Sequence, residues 1–468
     1  MFFRQVYDER LAQASYLIGS AQSGEALVVD PQRDIDIYLE IAREQGLRIV
    51  AVTETHIHAD FLSGARELAN ATGAKLYLSG ENRGADGYAS AELVTFLRNG
   101  EEIKLGDLRA RGLHTPGHTP EHMCFAVFAA ADQDQPMLLL SGDFIFVGDL
   151  GRPDLLEEAL GYAGSAKIGA SQTYSSLQNV LAHLPDFVAI WPGHGAGSAC
   201  GRALGNVPSS TLGYERRFAW WSGYLDSCDQ AGFVEALLSG QPDAPSYFAG
   251  MKQLNRGGMR LLNGLPRPPL LKDGELRAQL ESGSVLVDTR PREAFVQSHP
   301  QGAIHIPDDA SFSNWSAWFI PIDARVVLIA EPERVEHLVR GLVHVGIDSI
   351  VGFVPREAVR ELPQAALKQV DVRSAQKDLE SAQAVALDVR SAAEFAADHI
   401  PGALHISAGR LLRDAPRLPR DRPIIVCCAQ GERSVAAVSA LQALGFGNAR
   451  NLEGGFNGWR SLSVSVAG

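Results

Sequence analysis

The chain has 468 residues, of which 46% are apolar, and carries 55 acidic against 42 basic side chains, a formal charge of −13. At about 150 residues per domain this length predicts about three domains, each with enough apolar residues for a core. No basic excess is available to neutralise phosphates, which argues against a nucleic-acid or anionic-membrane surface, and no run of about 18 apolar residues exists to span a bilayer. The opening MFFRQVYDER lacks an apolar secretory core, and five cysteines (Cys124, Cys200, Cys228, Cys427, Cys428) do not suggest a disulfide framework. Free thiols in a reducing cytoplasm are the expectation.

In chain order, ALVVD (26–30), IVAVTET (49–55), AKLYL (74–78), MLLLSGD (137–143) and FVAIWPG (187–193) read as buried strands. A helical pattern runs from Asp36 to Gln45, with Ile37, Ile41 and Ala42 on one face. From about 205 to 270 the pattern is irregular and helical, ending in NGLPRPPLL, whose prolines suit an extended linker. An internal repeat follows: VLVDTRPREAFVQSHPQGAIHIP (285–307) returns as ALDVRSAAEFAADHIPGALHIS (386–407). Asp288 matches Asp388, Arg290 matches Arg390 and Phe295 matches Phe395, so two related α/β domains in tandem are expected. The expected boundaries are 1–205, a helical extension and linker over 206–271, then 272–363 and 370–468.

Most histidines of the first part lie in loops directly after predicted strands. THIHADF (55–61) sets His56, His58 and Asp60 at alternate positions, where side chains leaving a strand converge on one point, as a metal requires. HTPGHTPEH (114–122) adds His114, His118 and His122; SGDFIFVGDLGRPD (141–154) brings Asp143; WPGHGAGS (191–198) brings His194. One HxH pair has the plainer reading of a loop bonded to backbone, but four such motifs at strand ends point to a metal site.

The order HxHxD, TPGHT, SGD and PGH resembles the metallo-β-lactamase superfamily, which implies an αββα sandwich over residues 1–205. Within it, SGDFIFVGDLGRPDL and TETHIHADF resemble the persulfide dioxygenase branch, which implies one non-haem iron. Hydrolase members carry two zinc ions and usually HxHxDH; here the last position is Phe61, and a phenyl ring cannot bind metal. By that resemblance His56, His118 and Asp143 are the expected ligands of one Fe(II) per chain, a set of two histidines and one carboxylate that leaves positions open for O₂ and substrate. His58, Asp60 and His194 are expected behind them, orienting ligands and water, with His58 as a direct ligand left open. His114 and His122 are read as structural. Arg152 is either paired with Asp154 or, as the resemblance implies, binds the anionic part of a thiol substrate. Cys200, six residues beyond His194, is either an inert buried thiol or one that handles sulfane sulfur near the iron.

IIVCCAQGERSVAAVSALQALGF (424–446) reads as a strand, a tight loop and a helix. Loop amides and the helix dipole favour a thiolate there, making a nucleophile. CxxGxRS, preceded by DVRSAAEF and followed by NLEGGFNGW, resembles a rhodanese sulfurtransferase domain. The resemblance places a persulfide on Cys428, cradled by Ala429, Gln430, Gly431, Glu432, Arg433 and Ser434. Cys427 with Arg433 offers a competing register, C-x5-R, the spacing of a phosphatase loop. The first copy has Ile329-Ala330-Glu331 where the thiol should fall and resembles an inactive rhodanese. Asp388 and Arg390 are read as a structural ion pair.

Together the resemblances imply a chain that oxidises the sulfane sulfur of a small thiol persulfide with O₂ to sulfite and moves sulfane sulfur to or from sulfite or thiosulfate. No nucleic acid or membrane is expected as partner, and a homodimer or homotetramer is. The alternative is a binuclear zinc thioester hydrolase resembling glyoxalase II, joined to a sulfurtransferase.

Overall fold

The computed structural model describes residues 1–466 except 83–86, 90–93, 131 and 203. The apolar runs ALVVD and IVAVTET form neighbouring parallel strands, Glu25–Val29 and Arg48–Thr53. They lie in a six-stranded sheet that follows chain order from Phe2–Asp8 to Val94–Leu97. A second six-stranded sheet also follows chain order, from Glu102–Leu105 to Ser210–Thr211, and includes Leu138–Gly142 and Ala189–Pro192. Strand Met123–Phe128 shows why the two sheets stack. Met123, Phe125 and Val127 pack with Tyr16, Val29 and Ile103 in a core shared by both sheets, while Cys124, Ala126 and Phe128 face Tyr174, Leu177, Trp221 and Phe233. This is the period-two alternation of a strand buried on both faces. On the outer face of the first sheet, Tyr38 and Ala42 of helix Asp36–Glu44 and Leu68 of helix Ala65–Thr72 cover Val28, Val52 and Leu76. The layers are therefore helix, sheet, sheet, helix, and the fold class read from sequence holds.

The extension contains helices Leu212–Phe218, Ser222–Asp226, Gln230–Leu238 and Tyr247–Gly257. Asp229 caps the third by accepting from Gly232 N at 2.9 Å. Two compact units divide the chain in an interleaved way: residues 1–241 and 248–264 form one, residues 242–247 and 265–468 the other. The proline-rich segment is partly docked: Leu271 N donates to Phe353 O and Phe353 N to Pro269 O, so it lies as an extended edge beside strand Ile350–Val354.

In the second unit the repeat folds twice. Val285–Asp288 lies between Ile304–His305 and Val326–Ile329, all parallel. Val385–Asp388 lies the same way between Leu404–His405 and Ile424–Cys427. Registers coincide: Asp288 pairs with His305 and Ile329, Asp388 with His405 and Cys427. The ion pair expected of Asp388 and Arg390 is formed, bidentate at 2.6 to 3.0 Å, with Arg390 also over the Phe456 ring at 4.0 Å. Asp388 is fully buried, so Arg390→Ala leaves a carboxylate without its cation. A loss of about 3 kcal/mol is expected, read as a fall in the melting temperature of this unit.

Candidate active sites

Each metal-type histidine sits just after a strand and is held through one ring nitrogen so that the other is free. His56 Nδ1 donates to Thr55 Oγ1 (3.0 Å), His118 Nδ1 to Arg152 O (2.9 Å) and His194 Nδ1 to Ala12 O (3.0 Å). All three present Nε2 to the Asp143 carboxylate. His56 and His118 lie 3.9 and 3.5 Å from Oδ2, and His194 lies 3.5 Å from Oδ1. These separations exceed ordinary hydrogen bonds, yet every group is buried. Nitrogen and oxygen donors spaced so are the set that surrounds a bound cation, and the residues fit a metal. Burial keeps His56 and His118 well below the ordinary histidine range, leaving neutral rings with a lone pair to give, and pushes Asp143 up to about 6. His56, His118 and Asp143 form one such group; Asp60, His194 and Cys200 form a second beside it. Gly193 permits this closeness, since a Cβ there would stand 2.6 Å from Asp143 Oδ1.

His58 turns the other way. Its Nε2 meets Asp30 Oδ1 at 3.0 Å, and although burial opposes protonation, that carboxylate holds the ring up at about 9. Asp30 also accepts from Thr55 N and Thr55 Oγ1, so it clamps the start of the HxH loop. Phe61 is buried against His58, ring centroids 4.4 Å apart. His122 accepts from Asp143 N at 3.2 Å and meets Thr115 Oγ1 at 2.9 Å, while His114 donates to Pro120 O; both are structural. For Arg152 the ion pair is the alternative that forms. It is buried, holds Asp154 through Nε and Nη2 at 2.9 and 2.5 Å, and gives Nη1 to Ala199 O. That guanidinium is held by its own loop, and the Arg152 carbonyl positions His118. Burial and the nearby Asp60 and Asp143 push the Cys200 thiol up.

Two residues that the sequence reading passed over come from helix Tyr247–Gly257. Asn255 donates to His58 O and Phe61 O at 2.9 and 2.8 Å and accepts from Ser63 N at 2.9 Å. Lys252, only 5% exposed, lies one turn earlier, where its charge depresses His56 and His118. The signal was present: Lys252 and Asn255 share a buried face with Phe248 and Met251. Asn255→Ala leaves three backbone groups of the metal loop without partners. A severalfold faster loss of metal to a chelator is expected, with the Cys428 reaction unaffected.

At the other end of the chain, strand Ile424–Cys427 delivers Cys428 to a loop closed by helix Glu432–Ala443. Gly431 N donates to Cys428 Sγ at 3.2 Å, and Ser434 Oγ lies 3.3 Å from it and 2.6 Å from Asn451 Oδ1. Gly431 adopts φ of +94°, which turns its amide into the loop. Arg433 pairs with Glu394 at 3.2 Å, and Gln430 and Glu432 are exposed. Phe456 N and Asn457 N hold the Cys428 and Ala429 carbonyls, which fixes the start of the loop backbone. Cys427 packs with Val370, Ala375 and Ile425, and burial pushes its thiol far up. A phosphatase-type loop starting at Cys427 is therefore not formed. In the first copy Ala330 stands at the place of Cys428.

Comparison with known proteins bears on both sites. The metallo-beta-lactamase superfamily model matches residues 8–194, and the rhodanese-like domain model matches 273–345 and 371–462. A crystal structure of a metallo-beta-lactamase from Staphylococcus aureus is 40% identical, with a TM-score of 0.67, covering 76% of this chain and 99% of that one. A hydroxyacylglutathione hydrolase of Polaromonas is 33% identical over 183 residues, 38% of this chain and 61% of its own. The mitochondrial persulfide dioxygenase ETHE1 of Bos taurus is 25% identical over 200 residues, 42% of this chain and 68% of its own. No helix among the described residues is long and apolar enough to cross a membrane.

Proposed function

Because the chain belongs to the metallo-beta-lactamase superfamily and carries two rhodanese-like domains, we propose that it is a cytoplasmic persulfide dioxygenase fused to a sulfurtransferase. The reading rests above all on the buried group of His56, His118 and Asp143, two neutral imidazoles and one carboxylate, in a chain that also keeps a cradled Cys428. Such a set suits Fe(II), which when bound would supply the redox chemistry that lets O₂ react with a persulfide. The net change is RSSH + O₂ + H₂O giving RSH, sulfite and two protons. The chain's own residues fix the imidazole tautomers through Thr55, Arg152 O and Ala12 O and hold the HxH loop through Asp30 and Asn255. At the rhodanese end, Cys428 attacks the outer sulfur of thiosulfate; the new S–S bond forms as the old one breaks, and sulfite leaves. Gly431 N and Ser434 Oγ stabilise the sulfur anion through the exchange. The reverse reaction makes thiosulfate, and fusion raises the local concentration of the shared sulfur species.

Oxygen uptake by the iron-loaded chain on glutathione persulfide tests the first activity; no uptake sinks it. A second reading, the binuclear zinc thioester hydrolase, draws on the Asp60, His194 and Cys200 group beside the first. Metal analysis separates them: about one iron per chain supports the dioxygenase, about two zinc the hydrolase.

A further inference from the structure

The cradle around Cys428 gives hydrogen bonds, but its loop cation is already engaged. Within Cys428–Ser434 the charged side chains are Glu432 and Arg433. The segment that holds the start of the loop, Gly454-Gly455-Phe456-Asn457, carries no charge and acts through the Phe456 and Asn457 amides. Arg433 directly precedes Ser434, whose hydroxyl meets the sulfur. Its Nη2 lies 3.3 and 3.2 Å from the two carboxylate oxygens of Glu394. Arg390, over the Phe456 ring, is likewise spent on Asp388.

Glu394 is fixed from its own helix, Ala392–Ala397. Its Oε2 accepts from Ser391 N at 2.8 Å, and Ser391 Oγ accepts from Glu394 N at 3.2 Å, a capping box. Burial works against ionisation, but the Ser391 amide and Arg433 outweigh it and hold the carboxyl below the usual range. The copy without a thiol builds the same fold without this residue. At the spacing that pairs Asp288 with Asp388, Ala294 stands where Glu394 does, and helix Arg292–Gln297 starts from Pro291 with no side-chain cap. There Arg334 pairs with Asp308 instead. The carboxylate accompanies the thiol, not the architecture.

We propose that Glu394 sets the donor preference of Cys428: by neutralising Arg433 it disfavours dianionic thiosulfate and favours a donor with one charge or none at its reacting end, such as an organic persulfide. The proposal rests on the sulfurtransferase reading and adds its specificity-determining residue. Glu394, Glu432 and Arg433 together leave one negative charge beside the thiol, which repels a dianion most. With RSSH, the Cys428 thiolate attacks the outer sulfur. The new S–S bond forms as the RS–S bond breaks, and the proton passes to the departing sulfur, giving RSH. The Cys428 persulfide anion remains, with no net oxidation.

The test uses the full chain with cyanide as acceptor and two donors, thiosulfate and benzenethiosulfonate, which presents the same outer sulfur with one charge fewer. Glu394→Gln keeps the capping box, since an amide oxygen also accepts from Ser391 N, but removes the charge. Its KM for thiosulfate is expected to fall about fivefold relative to that for benzenethiosulfonate. Arg433→Gln is expected to move the same ratio the opposite way. An unchanged ratio in Glu394→Gln, or the same shift in both variants, overturns the proposal. So does an equal loss with both donors, which marks Glu394 as support for the loop. Should the unaltered chain take sulfur from neither donor, the sulfurtransferase reading fails by itself. Alkylation of Cys428 then decides the role of Glu394. In Glu394→Gln the rate with iodoacetate, relative to neutral iodoacetamide, is expected to rise about threefold, and an unchanged ratio overturns the proposal.

Discussion

Cys428→Ser is expected to abolish thiosulfate:cyanide sulfur transfer, by about three orders of magnitude or more, while oxygen uptake on a supplied persulfide stays within about twofold. The size follows from the chemistry, since a hydroxyl in the same cradle cannot hold a transferable sulfane sulfur. Nor can the adjacent thiol take over. Cys427 ends its strand inside the core, packed beside Ala375 and Ile425 with its thiol pushed far up, whereas Cys428 Sγ alone meets the Gly431 amide. Cys427→Ala is accordingly expected to retain most of the transfer. The check is the thiocyanate assay beside an oxygen electrode on the same preparations. Transfer surviving in the Cys428 variant would return the C-terminal half to a binding or regulatory role.

The complementary result is expected from Asp143→Asn. Its two oxygens face different histidines, Oδ2 toward His56 and His118 and Oδ1 toward His194, so one change disturbs both groups. An amide keeps the shape, removes the charge and turns one oxygen into an N–H₂ directed at imidazole Nε2 atoms that should be giving lone pairs. Bound metal and oxygen uptake are expected to fall more than about a hundredfold, with thiosulfate:cyanide transfer retained. Metal analysis after gel filtration reads the first effect and the oxygen electrode the second. A variant that keeps both metal and uptake would remove Asp143 from the ligand set.

Much of this was legible because chemistry clusters in motifs. The HxHxD, TPGHT, SGD and PGH segments each follow a strand, and the fold brings His56, His118, Asp143 and His194 within a few ångströms of one another. The repeat was legible too, since Asp288 and Asp388 open equivalent loops in equivalent registers. Strands such as Gln13–Gly19 and Met123–Phe128 were not, because burial on both faces removes the polar alternation that marks a strand. Asn255 and Lys252 were missed because their roles depend on a helix about two hundred residues away in sequence folding back over the HxH loop. The fate of Arg152 could not be read from GRPD, where a loop guanidinium can turn inward or outward; in the fold it turns to Asp154.

The interleaved division of the chain bears on how such a protein can be taken apart. Residues 242–247 serve the rhodanese pair: Ser246 N donates to Gly409 O, Asp243 accepts from Ala392 N and pairs with Arg410. The next stretch, 248–264, returns to the metal unit and supplies Asn255. No single cut yields two whole halves. A break at 205 strips the HxH loop of its Asn255 brace, and a break at 264 deprives the rhodanese pair of its Asp243 clasp. A truncation meant to isolate either unit therefore has to keep 248–264 with the first and 242–247 with the second.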